Sequence, residues 1–158
     1  MDTSLETARE AVDEANAAIG AAISSGTLPG GLEPLLYDVQ RELLVLAEAV
    51  ASGRTGAGPR NDLLIRARDE YPHEVPPHAA VLGGGNAGAG LLKLARAVTR
   101  RARRAVAVVS VSAEHGDYLE LLEDVLLAVA LRSEQLEREQ VPLGLCFQAG
   151  TIPTWSDH

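Results

Sequence analysis

Apolar residues recur along the chain at intervals of three and four, the spacing that keeps them on one face of an α-helix. Leu5, Ala8, Val12, Ala15, Ile19 and Ala22 form the first stripe. They predict a helix from Thr3 to about Ser24, opened by a Thr3/Glu6 capping box. The Ser, Gly and Pro content of Ser24–Gly31 predicts a turn. Leu35, Leu36, Val39, Leu43, Leu46 and Val50 then mark a helix over about Leu32–Ala51, with Gln40 among its polar positions. Ser52–Gly58 reads as a flexible connection and Asn61–Tyr71 as a short helix. Pro72, Pro76 and Pro77 forbid a helix over Tyr71–His78. After the elbow Gly83-Gly84-Gly85, Asn86 is placed to cap a helix whose apolar side is Leu91, Leu94, Ala95, Val98, Ala102 and Val106. The Ala and Val run Ala105–Val111 reads as the buried second half of that helix, with a strand as the alternative that period alone leaves open. Ser112–Gly116 reads as a short turn, and Asp117 as the cap of a last helix through about Gln140. Its core positions are Leu119, Leu122, Val125, Leu126, Val129 and Leu136.

Stripes of this width point to an all-α bundle of four long helices and one short one. The bundle domain covers residues 1–140. The irregular tail 141–158, with Trp155 as an anchor, is a candidate lid over a pocket. Composition agrees: residues are 46% hydrophobic but only 3% aromatic, so Ala, Leu and Val must build the core, which suits close helix packing better than a sheet.

The formal net charge of −8 argues against a nucleic-acid partner, because neutralising phosphates takes a net basic face. No apolar run reaches the roughly 20 residues of a membrane span, and the acidic first residues lack an apolar signal core. The cytoplasm is the expected compartment. A single cysteine, Cys146, allows no intrachain disulfide and no cysteine-based zinc site. His73, His78, His115 and His158 are scattered, so no metal site is expected, and Ser110 and Ser112 have no paired histidine that would support a nucleophile triad.

The chemistry is concentrated in Gly83–Arg104. Lys93, Arg96, Arg100 and Arg104 recur at spacings of three and four and line one side of the helix, with Arg101 and Arg103 beside them. In an acidic protein such a stripe is either paired to acidic helices or set to meet an anion such as triphosphate. The glycine elbow has the same two readings: an anion seat at a positive helix end, or a plain tight turn. It is neither a Rossmann fingerprint nor a Walker loop, since no strand precedes it and no Gly-Lys-Ser/Thr follows.

Four segments in order resemble the PduO-type ATP:cob(I)alamin adenosyltransferases. Val12–Gly20 is similar to that family's VDELNSxIG helix, and Val39–Ala47 to its IQxxLFxLG helix. Gly84–Arg104 is similar to PGGxxxAAxLHxARTxxRRAER, and Tyr118–Ala130 to YLNRLSDxLFxLA. The resemblance covers roughly Ala11–Arg132. It implies a five-helix bundle that assembles as a homotrimer, with ATP between subunits and the corrinoid in an adjacent apolar pocket. The implied reaction moves the adenosyl group of ATP onto reduced cobalt and releases triphosphate. ATP with Mg2+ and cobalamin are implied by the resemblance alone. Carried over position by position, it puts Arg100, Glu120 and Asp124 at catalytic places and Asn16, Lys93, Arg96 and Arg103 at ligand-binding ones.

The chain departs from the pattern where that chemistry lives. The TGDxGxTxL triphosphate loop does not precede the first helix, and Gly83 replaces the proline of PGG. Lys93 takes the histidine place, Arg103 the glutamate place, Glu120 the asparagine place and Leu121 the arginine place. A carboxylate gained and a cation lost oppose triphosphate by like-charge repulsion, and the two exchanges could compensate as an Arg103–Glu120 pair. Three readings follow. The first is a divergent member that binds a small ligand at the subunit interface with adenosyl transfer lost or weakened. The second is a repurposed enzyme acting on another small substrate in the same pocket, with Arg96, Arg100, Glu120 and Asp124 as its polar groups. The third is a non-catalytic trimeric scaffold.

Overall fold

The computed structural model describes residues 3–53, 58–72, 86–109 and 112–140. The glycine elbow 83–85, the segment 73–82, Cys146 and the tail with Trp155 lie outside the described residues. Among the described residues five helices follow in order: α1 (Thr3–Ser24), α2 (Glu33–Ser52), α3 (Asp62–Glu70), α4 (Ala87–Val109) and α5 (Ala113–Gln140). The described residues contain no strand.

Local chemistry sets most boundaries. Pro34 sits in the first turn of α2, where its missing N–H costs nothing. Gly53 ends that helix at φ 60°, a left-handed conformation that glycine adopts without strain, and its N–H donates to the Val50 carbonyl. The Asn86 side chain accepts from the Ala89 N–H at 2.7 Å, the cap expected at the start of α4. Its Nδ2 also donates to Ser133 Oγ at 3.0 Å, fastening that end of α4 to α5.

α4 is the organising helix. It packs along α1 on one side and α5 on the other, while α2 covers α1 and short α3 rests mainly on α5. Ala8, Ala15 and Ala22 on α1, and Ala95 and Ala102 on α4, are buried at seven-residue spacing. Alanine there lets helix axes approach closely. Leu36, Leu43, Leu46, Leu92, Leu119, Leu122 and Leu126 fill the remaining volume and are fully buried.

The structure corrects several expectations. α5 begins at Ala113, one turn before Asp117. Ser112 is its cap, accepting from the Glu114 N–H at 3.3 Å, and Asp117 lies exposed within the helix. Thr3 already lies inside α1, so a Thr3/Glu6 capping box does not open it. Ala105–Val109 continue α4 as helix, but only Val106 is buried and Val108 is 79% exposed. Leu94 is 54% exposed, because the buried phase of α4 runs through Leu92, Ala95, Thr99, Ala102 and Val106.

Candidate functional site

α4 turns Lys93, Arg100 and Arg103 towards α5, which meets them with carboxylates. Lys93 Nζ pairs with Glu134 Oε1 in a largely buried contact. Arg100 Nε donates to Glu123 Oε2 at 3.0 Å, and Arg103 Nε donates to Glu123 Oε1 at 2.7 Å. One carboxylate, 7% exposed, thus bridges two guanidiniums, one on each oxygen. The hydrogen bond and charge of Glu123 raise the Arg103 pKa, with a weaker contribution from Glu120. A buried carboxylate needs this compensation, and charge-assisted bonds to two arginines supply it.

The expected Arg103–Glu120 pair is therefore corrected: the partner is Glu123. Positions 119, 122 and 126 face the core, and 123 falls on their edge towards α4. Glu120 and Asp124 lie on the exposed side of α5, neither in an ion pair among the described residues.

The other stripe residues behave differently. Arg96 is half-buried, and its Nε is enclosed with no hydrogen-bond partner among the described residues. Arg101 pairs with Glu14 of α1 in an exposed contact. Arg104 is exposed and makes no ion pair among the described residues. At the start of α4 the chain uses its own oxygens: Thr27 Oγ1 accepts from the Gly88 N–H at 2.7 Å, and Asn86 takes the Ala89 N–H. Two amides that an anion would need are thereby occupied, which favours the plain-turn reading there.

Asn16 sits away from this constellation. Its Nδ2 donates to the Gln40 carbonyl at 3.4 Å, and Gln40 Nε2 donates back to the Asn16 carbonyl at 3.2 Å. Gly20 leaves room for that clasp, since a Cβ there would lie 3.0 Å from Gln40 Nε2. The Asn16 Oδ1 is buried without a partner among the described residues. Of the candidate set, Arg100 and Arg103 meet at Glu123 and Lys93 meets Glu134, Glu120 and Asp124 lie on the exposed side of α5, and Asn16 joins α1 to α2.

Two further polar features were missed by the periodicity. Glu42, 8% exposed, accepts from the Arg60 backbone N–H at 2.9 Å and from its guanidinium at 3.0 Å, tying the segment before α3 to α2. Near it, Tyr118 and His115 of α5 are buried, with the Tyr118 hydroxyl and His115 Nδ1 unpartnered among the described residues. Burial raises the Tyr118 pKa, helped by the Glu42 charge, and lowers that of His115 against a smaller opposing effect of Glu114. On the α3 side of α5, a cavity of about 510 Å3 is lined by residues including Tyr71, Leu131, Arg132, Gln135 and Arg138. Among the described residues no three His, Cys, Asp or Glu side chains gather as metal ligands would. No described helix is long and apolar enough to cross a membrane.

The cobalamin adenosyltransferase family model matches residues 4–133, spanning α1 through most of α5 and every residue of the stripe. No curated protein matches the chain.

Proposed function

The chain belongs to the cobalamin adenosyltransferase family, and from that premise we propose that it is a divergent PduO-type member. In this reading it binds a small ligand where subunits of a trimer meet, and ATP-dependent adenosyl transfer is lost or weakened. The observation that carries the ligand site is Arg96. A guanidinium nitrogen enclosed with no partner is costly to keep, and a ligand or neighbouring subunit completing the site would satisfy it. A scaffold whose stripe served only solubility would leave that nitrogen to water.

The weakening of transfer rests on charge. The triphosphate product carries several negative charges, and the stripe would have to hold it. Lys93, Arg100 and Arg103 already have carboxylate partners within the chain. Glu120 and Asp124 add negative charge on the exposed side of α5. Leu121 supplies no cation where the family pattern has one. The residues present therefore fit an anion-poor ligand better than ATP.

An outward face of α4 supports assembly. Leu94, Ala97, Arg101, Arg104 and Val108 recur at helical spacing and are all exposed in the single chain. A heptad of apolar and basic positions left open in this way suits a helix–helix contact between copies. The same reading puts the protein in the cytoplasm, where nucleotides and reduced corrinoid are both at hand.

The test is equilibrium binding of cob(II)alamin, followed by absorbance under anaerobic conditions, with light scattering to fix the mass of the species that binds. A trimer that perturbs the corrinoid spectrum saturably is expected. A monomer that leaves the spectrum unchanged contradicts the proposal.

A further inference from the structure

We propose that Glu123 decides which anions the α4 stripe accepts: as an internal carboxylate it fills the seat between Arg100 and Arg103 and so excludes polyphosphates. This rests on the reading of the stripe as a ligand site. The geometry is that of a bound anion. Each oxygen of Glu123 accepts one guanidinium N–H, at 3.0 and 2.7 Å, and the carboxylate is almost wholly withdrawn from solvent. Arg100 and Arg103, three residues apart on α4, bring their Nε donors to the same carboxylate. An incoming phosphate must displace a carboxylate tethered to the same fold, whose effective concentration exceeds that of a free ligand. The displaced Glu123 would then be left buried without its cations, which is strongly unfavourable.

Charge accounting along the stripe leads to the ligand class. Glu134 matches Lys93 and Glu123 is shared by Arg100 and Arg103, while Arg96 keeps an enclosed donor without a partner among the described residues. Glu123 cancels one of the two charges of Arg100 and Arg103, so that group keeps one net positive charge and Arg96 adds another, fewer than the negative charges of a triphosphate. Removing the internal carboxylate should convert that group into a polyphosphate site, because Arg100 and Arg103 would then face the gap with free donors. Both guanidiniums are about two-fifths exposed and can be hydrated in the variant, at side-chain exposures of 41% and 36%.

The experiment is calorimetric titration of sodium triphosphate with Mg2+ into the native protein, Glu123→Gln and Glu123→Gln/Arg100→Gln, with circular dichroism to verify helical content. Weak binding to the native protein is expected. Glu123→Gln should bind roughly tenfold tighter or better, and the added Arg100→Gln should remove the gain. Three results would each overturn the proposal: native binding as tight as that of Glu123→Gln, no gain in Glu123→Gln, or an undiminished gain in the double variant. If Glu123→Gln does not fold, Glu123→Asp keeps the charge but is one methylene too short to span both arginines. A smaller gain is then expected, and none would contradict the proposal. Corrinoid binding is measured separately, so its failure would remove the cobalamin reading and leave the triphosphate result intact.

Discussion

Gly88 lies so close to Leu28 that a Cβ added to the glycine would fall 2.6 Å from Leu28 Cδ2 and 2.8 Å from Leu28 Cγ. The loop after α1 is pressed onto the first turn of α4, and the Thr27 hydroxyl accepting from the Gly88 N–H fixes the approach. Replacing a helical glycine by alanine ordinarily stabilises by about 1 kcal/mol. At Gly88 the sign should reverse, because Leu28 is buried and its branch point must move. Gly88→Ala is expected to cost about 1–3 kcal/mol. Gly90→Ala, with nothing within 4 Å of its Cβ, should stabilise. Denaturant unfolding of the two variants side by side checks the contrast.

The acidic residues of α5 should separate in the same assay. Glu123→Gln removes the negative charge and one of the two acceptors, leaving an amide oxygen for at most one arginine, and should cost about 1–3 kcal/mol. Glu120→Gln alters an exposed group without an ion pair and should stay within about 0.5 kcal/mol of the parent. Equal losses from both would contradict the pairing described for Arg103.

This pair also shows how far the sequence could be read. The five helices follow from apolar spacing, since a stripe at three and four has one helical interpretation, and Asn86 is recognisable because only its side chain suits an N-cap there. The partner of Arg103 depends on rotation, a finer matter. Position 123 is four after Leu119 and three before Leu126, which puts it on the edge of the buried stripe. Positions 120 and 124 are a third of a turn off it. That phase points to Glu123, whereas alignment with the family pattern points to Glu120. Leu94 is apolar yet one step off the buried phase, so its hydrophobicity alone points to the wrong face. The start of α5 at Ala113 adds one turn before Asp117, and that turn buries His115, which a reading of Ser112–Gly116 as a turn does not foresee. The buried, partnerless Arg96 nitrogen and the Glu42–Arg60 tie depend on contacts between separate helices, which periodicity does not encode.

Tyr118 yields a prediction with an unusual sign. Its hydroxyl is buried with no partner among the described residues, so it contributes burial cost without a compensating bond. Tyr118→Phe should leave stability unchanged or raise it by up to about 1 kcal/mol. A loss above about 2 kcal/mol in thermal or denaturant unfolding would mean that the hydroxyl is bonded in solution.

His115 predicts a pH dependence. Burial lowers its pKa in the fold below the usual 6.5, so the folded protein resists taking up a proton that the unfolded chain binds readily. Its contribution to stability is complete above about pH 6.5 and is lost as pH falls through that value towards the folded pKa. Glu114 opposes the shift only in part. Unfolding free energies measured between pH 7.5 and 5.5 should fall for the native protein and fall less for His115→Gln, which has no proton to gain. Identical slopes would contradict the assignment.

The most direct measurement for the account as a whole is an anaerobic absorbance time course with cob(I)alamin and Mg-ATP. With Arg100 and Arg103 held by Glu123, the spectrum of adenosylcobalamin should fail to appear or appear only marginally above the protein-free control. Prompt, protein-dependent conversion to adenosylcobalamin would contradict the account. It would mean that the stripe holds triphosphate despite its internal carboxylate.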